Sequence, residues 1–378
     1  MAAFIRTIAA AALSAALTSG ALAADGQGFL ETIKRHTTLT SAVPENGDQN
    51  PYAIVVAPVS AGLIHKDDVL IDNFNNDANL QGTGTTIVAY NPATKKTSLF
   101  AQLPRDLAGC PGGVGLSTAM TMLKSGWVIV GSAPSTDGTT ATKGAGCLVV
   151  LDSNGKVVGT LAGPTINDPW GNMAVVDNGT TAILFVSMAG FDVPDYRKID
   201  PATGKPPIIA KATVLRIELA IPEGQPPKMV SQTVIADGFG QRADKDVFMI
   251  GPTGLAIGPD DTLYISDALA NRVMAIPNAT KATTSAGIGR EVTKDGLLQR
   301  PLAMCWTPNG HLLVTNGLNG QVVEIDPANG KQLYARWIDA NKAQTPPGSG
   351  DLFGIAMTPS GDGFYFVQDE VNTLVVAR

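Results

Sequence analysis

From residue 251 onward the chain repeats one pattern of apolar and polar positions three times. GPTGLAIGPDDTLYISDALANRVMAIPN begins at 251, RPLAMCWTPNGHLLVTNGLNGQVVEIDPANG at 300 and DLFGIAMTPSGDGFYFVQDEVNTLVVAR at 351. Each reads as an apolar run, a polar turn, a second β-branched run, a loop and a third run. Short apolar runs bounded by Gly, Pro, Asn and Asp predict strands. The period of about 50 residues, with no amphipathic helix between, predicts propeller blades rather than βαβ units. The same order recurs upstream in WGNMAVVDNGTTAILFVSM with TVLRIEL, in VGLSTAMTMLKSGWVIVGS with GCLVVLD, and in YAIVVAPV with DDVLIDNF and TTIVAYNP. That makes six units. A fourth run, such as TSLFAQL, KVVGTLA, MVSQTVIA or QLYARWI, follows the third in most of them. The chain is therefore predicted to be all-β, a six-bladed β-propeller of four-stranded antiparallel sheets.

The last unit stops after its third strand, whereas the early stretch HTTLTSAV, residues 36–43, is a strand without a blade. Pairing the two would close the ring and remove two exposed edges, so the N-terminal strand is expected to complete the last blade. In a propeller the loops between strands two and three, and those between one blade and the next, open on the same face. Here that face carries NFNNDANLQGTG, SAPSTDGTTATKGAG, AGFDVPDYRKIDPATGKPPIIAKA, PRDLAGCPGG, GPTINDPW and ADGFGQRADKDVFMIG. The opposite face carries only short turns such as HKDD, LKSG, GPDD and TPNG, whose residues have local backbone reasons. Long loops on one face of a rigid scaffold point to function there.

The glycine and apolar strand that precede Leu-Tyr-Ile-Ser-Asp, followed by Asn-Arg-Val, in residues 251–273 resemble the NHL repeat. The resemblance implies the six-bladed architecture shared with the gluconolactonase and senescence-marker group. It implies no single activity, because propellers serve as lactonases, lyases and binding scaffolds.

Residues 1–23 carry one charge at Arg6, an alanine-rich apolar run and Ala21-Leu22-Ala23, the order of a cleaved secretory signal peptide. Residues 24–378 are then expected to form one propeller domain outside the cytoplasm, in the periplasm or secreted. The remaining chain has no stretch long and apolar enough for a membrane span. A net charge of -6 with no basic run argues against nucleic acid as a partner. A monomer is expected. Of the three cysteines, Cys110 and Cys147 both fall on the elaborate face of the second unit, and an oxidising compartment is expected to join them. Cys305, inside the apolar run 302–306, is expected to be a buried thiol.

Only three histidines occur, His36, His65 and His311, and none belongs to a metal-binding or heme-attachment motif. His311, after Asn309-Gly310, reads as a solvated turn residue. The glycine clusters at 82–84 and 112–115 match no phosphate-binding pattern and read as turns.

Oxygen donors recur where the second strands end: Asp72 and Asn73, Ser266 and Asp267, Thr315 and Asn316, Gln368 and Asp369. At equivalent places in several blades they would form a partial ring suited to a hard divalent cation, Ca²⁺ or Mg²⁺. Equally, each would serve its own blade, with Asp267 pairing to Arg272 as in NHL repeats. Other residues break the repeat: Asp168, Trp170 and Asn172 before the third inner strand, and Arg242, Asp244, Lys245 and Asp246 before the fourth. A pocket over the channel mouth, lined by Asp72, Asn73, Trp170, Asn172, Arg242, Asp267, Asn316 and Asp369, is the expected ligand site.

Two functions suit this pattern. The first is a non-catalytic propeller that binds a small molecule or a partner protein on the long-loop face. The second is a metal-assisted hydrolase of lactonase type, or a propeller lyase. The gluconolactonase group carries an EGPxW motif where the first inner strand here reads YAIVVAPV, and binding is the reading preferred.

Overall fold

Six antiparallel sheets, one for each unit, stand in a ring in the computed structural model, which describes residues 28–378. The expected signal peptide lies outside the described residues. Blade I runs from Gln49–Val56 to Lys96–Gln102, blade II from Leu116–Met122 to Val157–Leu161, and blade III from Ala174–Asp177 to Phe248–Ile250. Blade IV runs from Pro252–Ile257 to Arg290–Lys294 and blade V from Pro301–Trp306 to Lys331–Trp337. Blade VI holds Leu352–Met357, Phe364–Gln368 and Thr373–Ala377, and its outer strand is His36–Ser41 from the N-terminal side. Among the described residues, no helix is long and apolar enough to cross a membrane.

Alternation of side chains along each strand gives every blade two apolar faces, and the buried residues fall into six clusters, five between neighbouring blades and one that also gathers residues of all six blades around the axis. Between II and III, for example, Ile129 and Val150 meet Leu184 and Val186. The inner strands of five blades each shift register once, as between Pro252 and Leu255 or Leu352 and Ile355, which sharpens their twist toward the axis. Crowding there demands glycine. A Cβ on Gly254 would stand 2.1 Å from the Leu302 carbonyl oxygen of the next blade, and one on Gly354 would stand 2.4 Å from that of Tyr52.

A hydroxyl at the end of the second strand fastens several of these junctions. Ser266 Oγ accepts from Gly254 N–H (2.6 Å) and donates to the Leu302 carbonyl (2.6 Å), linking blades IV and V. Ser187 accepts from Gly171 N–H and donates to Thr253 O between III and IV, while Thr315 donates to Phe353 O between V and VI. These repeated hydroxyls therefore serve the ring.

Closure follows the expected pairing, with His36 opposite Ala377 and Ser41 opposite Thr373. One helical turn, Phe29–Thr32, precedes the closing strand and buries Phe29 and Leu30 between blades V and VI. Its exposed amides need acceptors, and the buried Glu324 supplies them: Oε1 accepts from Phe29 N–H (2.9 Å) and Oε2 from Leu30 N–H (2.8 Å). His311 Nδ1 lies 2.7 Å from the same carboxylate. His311 is thus no solvated turn residue, because the fully buried Glu324 needs neighbours that compensate its desolvation.

Blade III departs from the four-stranded expectation. The stretch ADGFGQRADKDVFMIG, read as a loop, instead extends the strand Lys228–Asp244, turns at 245–247 and returns as a fifth strand, Phe248–Ile250. Asp244 Oδ1 makes the turn by accepting from Asp246 N–H and Val247 N–H. Phe248 and Met249 are buried by this return, so the hairpin is held by apolar burial that strand periodicity alone does not register.

Cys110 and Cys147 are disulfide-bonded, with Cα atoms 5.1 Å apart and a sequence separation of 37. A loop of that length contributes roughly 3 to 4 kcal/mol by chain entropy. Cys305 stays free, and burial pushes its thiol up to about 12.

The closing segment makes a direct prediction. Glu324→Ala leaves two helix amides and His311 without their acceptor and should cost roughly 3 kcal/mol in urea unfolding. A loss below about 0.5 kcal/mol would show that the N-terminal turn is held by apolar contacts alone.

Candidate functional site

The channel mouth on the long-loop face is closed. Tyr52 stacks on Phe353 (3.9 Å between centroids) and on Phe74 (4.8 Å), and Phe74 meets Trp170 and Phe248 edge-on at 5.7 and 5.6 Å. Blades I, III and VI and the hairpin thus converge in one aromatic plug, joined by Ala133, Ala268 and Leu302 from the other blades. A cavity of only about 20 Å³ remains beside Trp170, Met249 and Leu302. That is room for about one water.

The eight residues expected to line a common pocket are accordingly dispersed. Asp72 is fully buried in blade I, where one carboxylate oxygen accepts from Ala53 N–H and burial pushes its pKa up to about 8. Asn73 donates to Ala42 O and Thr86 Oγ1, tying the closing strand to blade I. Trp170 belongs to the plug. Asn172 reaches across to two neighbouring inner strands, donating to Leu255 O (2.8 Å) and accepting from Met304 N–H (3.2 Å). Asp267 forms the local pair with Arg272 at 2.9 Å, and Asn316 holds the lead-in to blade V through Gln299 N–H and Leu297 O. Arg242 and Asp369 do face open clefts, on opposite sides of the hairpin.

The cleft at Asp369 lies where blade VI meets blade I and has a volume of about 370 Å³. It is lined almost wholly by carboxamides and carboxyls, among them Asn50, Asn75, Gln344, Asp351, Asp369 and Asn372. Two of these asparagines take left-handed backbone, Asn50 at φ 66° near the start of the inner strand of blade I and Asn372 at φ 53° in a turn within blade VI. Asn372 Oδ1 accepts from Asn50 N–H at 2.6 Å. Oriented to satisfy its neighbours, the Asn50 amide donates to Asp369 and accepts from Asn75 Nδ2 at 3.0 Å. Asn75 is 2% exposed, yet its Oδ1 has no partner. A buried acceptor left in that state is costly unless something else donates to it.

Electrostatics sharpen the picture. Burial pushes Asp369 up to about 8, helped by the charges of Asp351 and Glu370. Asp351 is raised to about 6, again chiefly by burial and despite the Gln344 amide. At neutral pH the cleft therefore holds a carboxylic acid that donates as well as accepts. Among the described residues no three His, Cys, Asp or Glu side chains converge as metal ligands.

Asn50, Asn75 and Asp351 escaped the reading of the sequence, although NFNNDAN and QDEVN, dense in amides and acids, already marked the two loops that meet here.

No family model matches the chain, and no curated protein matches it in sequence. Its fold is similar to that of a gluconolactonase from Xanthomonas campestris, at 15% identity over 91% of this chain and 88% of that one, with a TM-score of 0.54. The PQQ-bound aldose sugar dehydrogenase of Streptomyces coelicolor is similar at 11% identity over 91% and 97% of the two chains, with a TM-score of 0.52. A streptogramin B lyase follows at 13% identity over 93% and 99%, with a TM-score of 0.50. At such identities the likeness establishes the propeller fold alone.

The raised carboxyls predict how stability responds to pH. Between about pH 4 and the Asp369 value of about 8, the folded carboxyl keeps a proton that the unfolded chain has released. Stability therefore falls as pH rises through that window. Asp369→Asn should lose less stability than the unaltered protein between about pH 5 and pH 8 in urea melts, and equal losses would mean that Asp369 ionises freely in the fold.

Proposed function

We propose that the chain is an exported propeller that binds a small, neutral, polyhydroxylated molecule in the cleft between blades VI and I. The observation that carries this reading is the convergence of carboxamides and partly protonated carboxyls around the unpaired Asn75 Oδ1. Amides offer both donors and acceptors, which is what hydroxyl groups require. No lysine or arginine lines the cleft, so an anionic ligand has no counter-charge there. The disulfide supports an oxidising compartment and hence export.

One observation favours a catalytic role for the same cleft. Asp351 and Asp369 titrate near neutrality, at about 6 and about 8, as an acid and base working on a bound hydroxyl or lactone would. Hydrolysis through such a pair is the alternative to simple binding.

A panel of aldoses, polyols and aldonolactones, read by thermal shift and calorimetry, tests the proposal. Saturable binding is expected for at least one member, and Asn75→Ala should weaken it about fivefold, the worth of one neutral hydrogen bond. Lactone turnover that disappears in Asp369→Asn would turn the binding protein into an enzyme. The proposal fails if no member binds, or if Asn75→Ala and Asp369→Asn bind as tightly as the unaltered protein.

A further inference from the structure

On the other side of the hairpin, the long loop of blade III, the turn at 244–246 and the lead-in to blade V enclose a second cleft of about 430 Å³. Its character is opposite. Five cations, Arg197, Lys205, Arg242, Lys245 and Arg300, face two carboxylates, Asp244 and Asp246, in a protein whose net charge is -6.

Neither carboxylate hydrogen-bonds an arginine of the cleft. Asp244 has one oxygen committed to the turn amides of Asp246 and Val247, and its other oxygen stands 4.0 Å from Arg242 Nη2, beyond hydrogen-bond reach. The Arg242 side chain is only 13% exposed, and its Nε is buried without an acceptor. Asp246 makes no ion pair among the described residues, and its own backbone carbonyl accepts from Gln81 Nε2. Arg197 alone is satisfied, by Asp195 at 2.5 Å.

Arg300 is the most telling member. Its backbone sits at φ 58°, a left-handed conformation that non-glycine residues seldom adopt. Asn271 Oδ1, which accepts from its N–H at 3.0 Å, and Gly317, whose N–H donates to its carbonyl at 2.8 Å, hold it there. Its half-buried side chain lines both the small axial cavity and the cleft and makes no ion pair with any described residue. Burial disfavours its ionised form, the nearby Asp244 carboxylate favours it, and the Arg242 charge weighs against it by a smaller amount. Strained backbone at a functional position is a recognised way of aiming a side chain, and two guanidiniums brought together without acceptors are poised for an anion.

We propose that this cleft is an oxyanion site, with Arg242 and Arg300 gripping the carboxylate or phosphate group of a small organic molecule. The opposite wall supplies the rest of the recognition. Tyr196, Pro206 and Ile199, the last 50% exposed, offer an apolar surface to the ligand's carbon skeleton. Lys205 and Lys245 add charge at the rim, where they draw the anion in.

The experiment titrates the intact protein with benzoate, citrate and inorganic phosphate, each at an ionic strength fixed with sodium chloride, by calorimetry and thermal shift. At least one organic carboxylate should bind saturably. Arg300→Gln and Arg242→Gln should each weaken it tenfold or more, whereas Asp369→Asn, in the other cleft, should leave it unchanged. Binding of phosphate alone, lost in the same variants, supports the site with the free oxyanion as its ligand. Should either arginine variant fail to fold, the exposed Lys245→Gln serves instead, with an expected weakening of about threefold. The proposal is overturned if none of the three probes binds saturably at fixed ionic strength, or if Arg300→Gln, Arg242→Gln and Lys245→Gln all bind as the unaltered protein does.

Discussion

Six inner strands converging on one axis leave almost no room where they come closest, and that crowding governs the rest of the molecule. Gly254 and Gly354 stand where a single methyl group would strike the neighbouring blade's carbonyl. Ser187, Ser266 and Thr315 convert the same proximity into hydrogen bonds between blades. A ring packed in this way has to be closed, because an unpaired third strand in blade VI would leave the last interface half built. The N-terminal strand supplies the missing edge, and Glu324 anchors the turn that leads into it.

Crowding at the axis also decides where a ligand can go. Tyr52, Phe74, Trp170, Phe248 and Phe353 fill the mouth that an open propeller would offer, so polar groups can gather only around it. The hairpin of blade III divides that rim. On one side lie amides and weakly acidic carboxyls, and on the other lie arginines and lysines, with Asp246 touching both clefts. One structural element therefore closes the channel and separates two clefts of opposite chemical character.

The architecture was legible because it rests on local signals repeated many times. Blade number, strand order, the pairing of residues 36–43 and the Cys110–Cys147 bridge all follow from periodicity, turn chemistry and loop position. The candidate site was legible only in part. Arg242 and Asp369 were singled out and do face clefts, whereas Asp72, Asn73 and Asn316 sit buried at repeated strand ends and hold the backbone around them. Trp170 looked like a ligand-facing aromatic, yet its partners Phe74 and Phe248 come from a distant strand and from a stretch read as loop. Arg300 gave no signal, since what sets it apart is a backbone angle and the lack of an ion pair, neither of which a sequence displays.

The two proposed sites place ligand recognition at the rim and not at the axis. Co-crystallisation with whichever probe stabilises the protein most tests it directly, through the position of the ligand density. The account predicts density in one of the two clefts: beside Asn75 and Asp369 for a polyol, or between Arg242 and Arg300 for an oxyanion. Density at the axis, with the ring of Trp170 or Phe248 swung aside to admit the ligand, would contradict it.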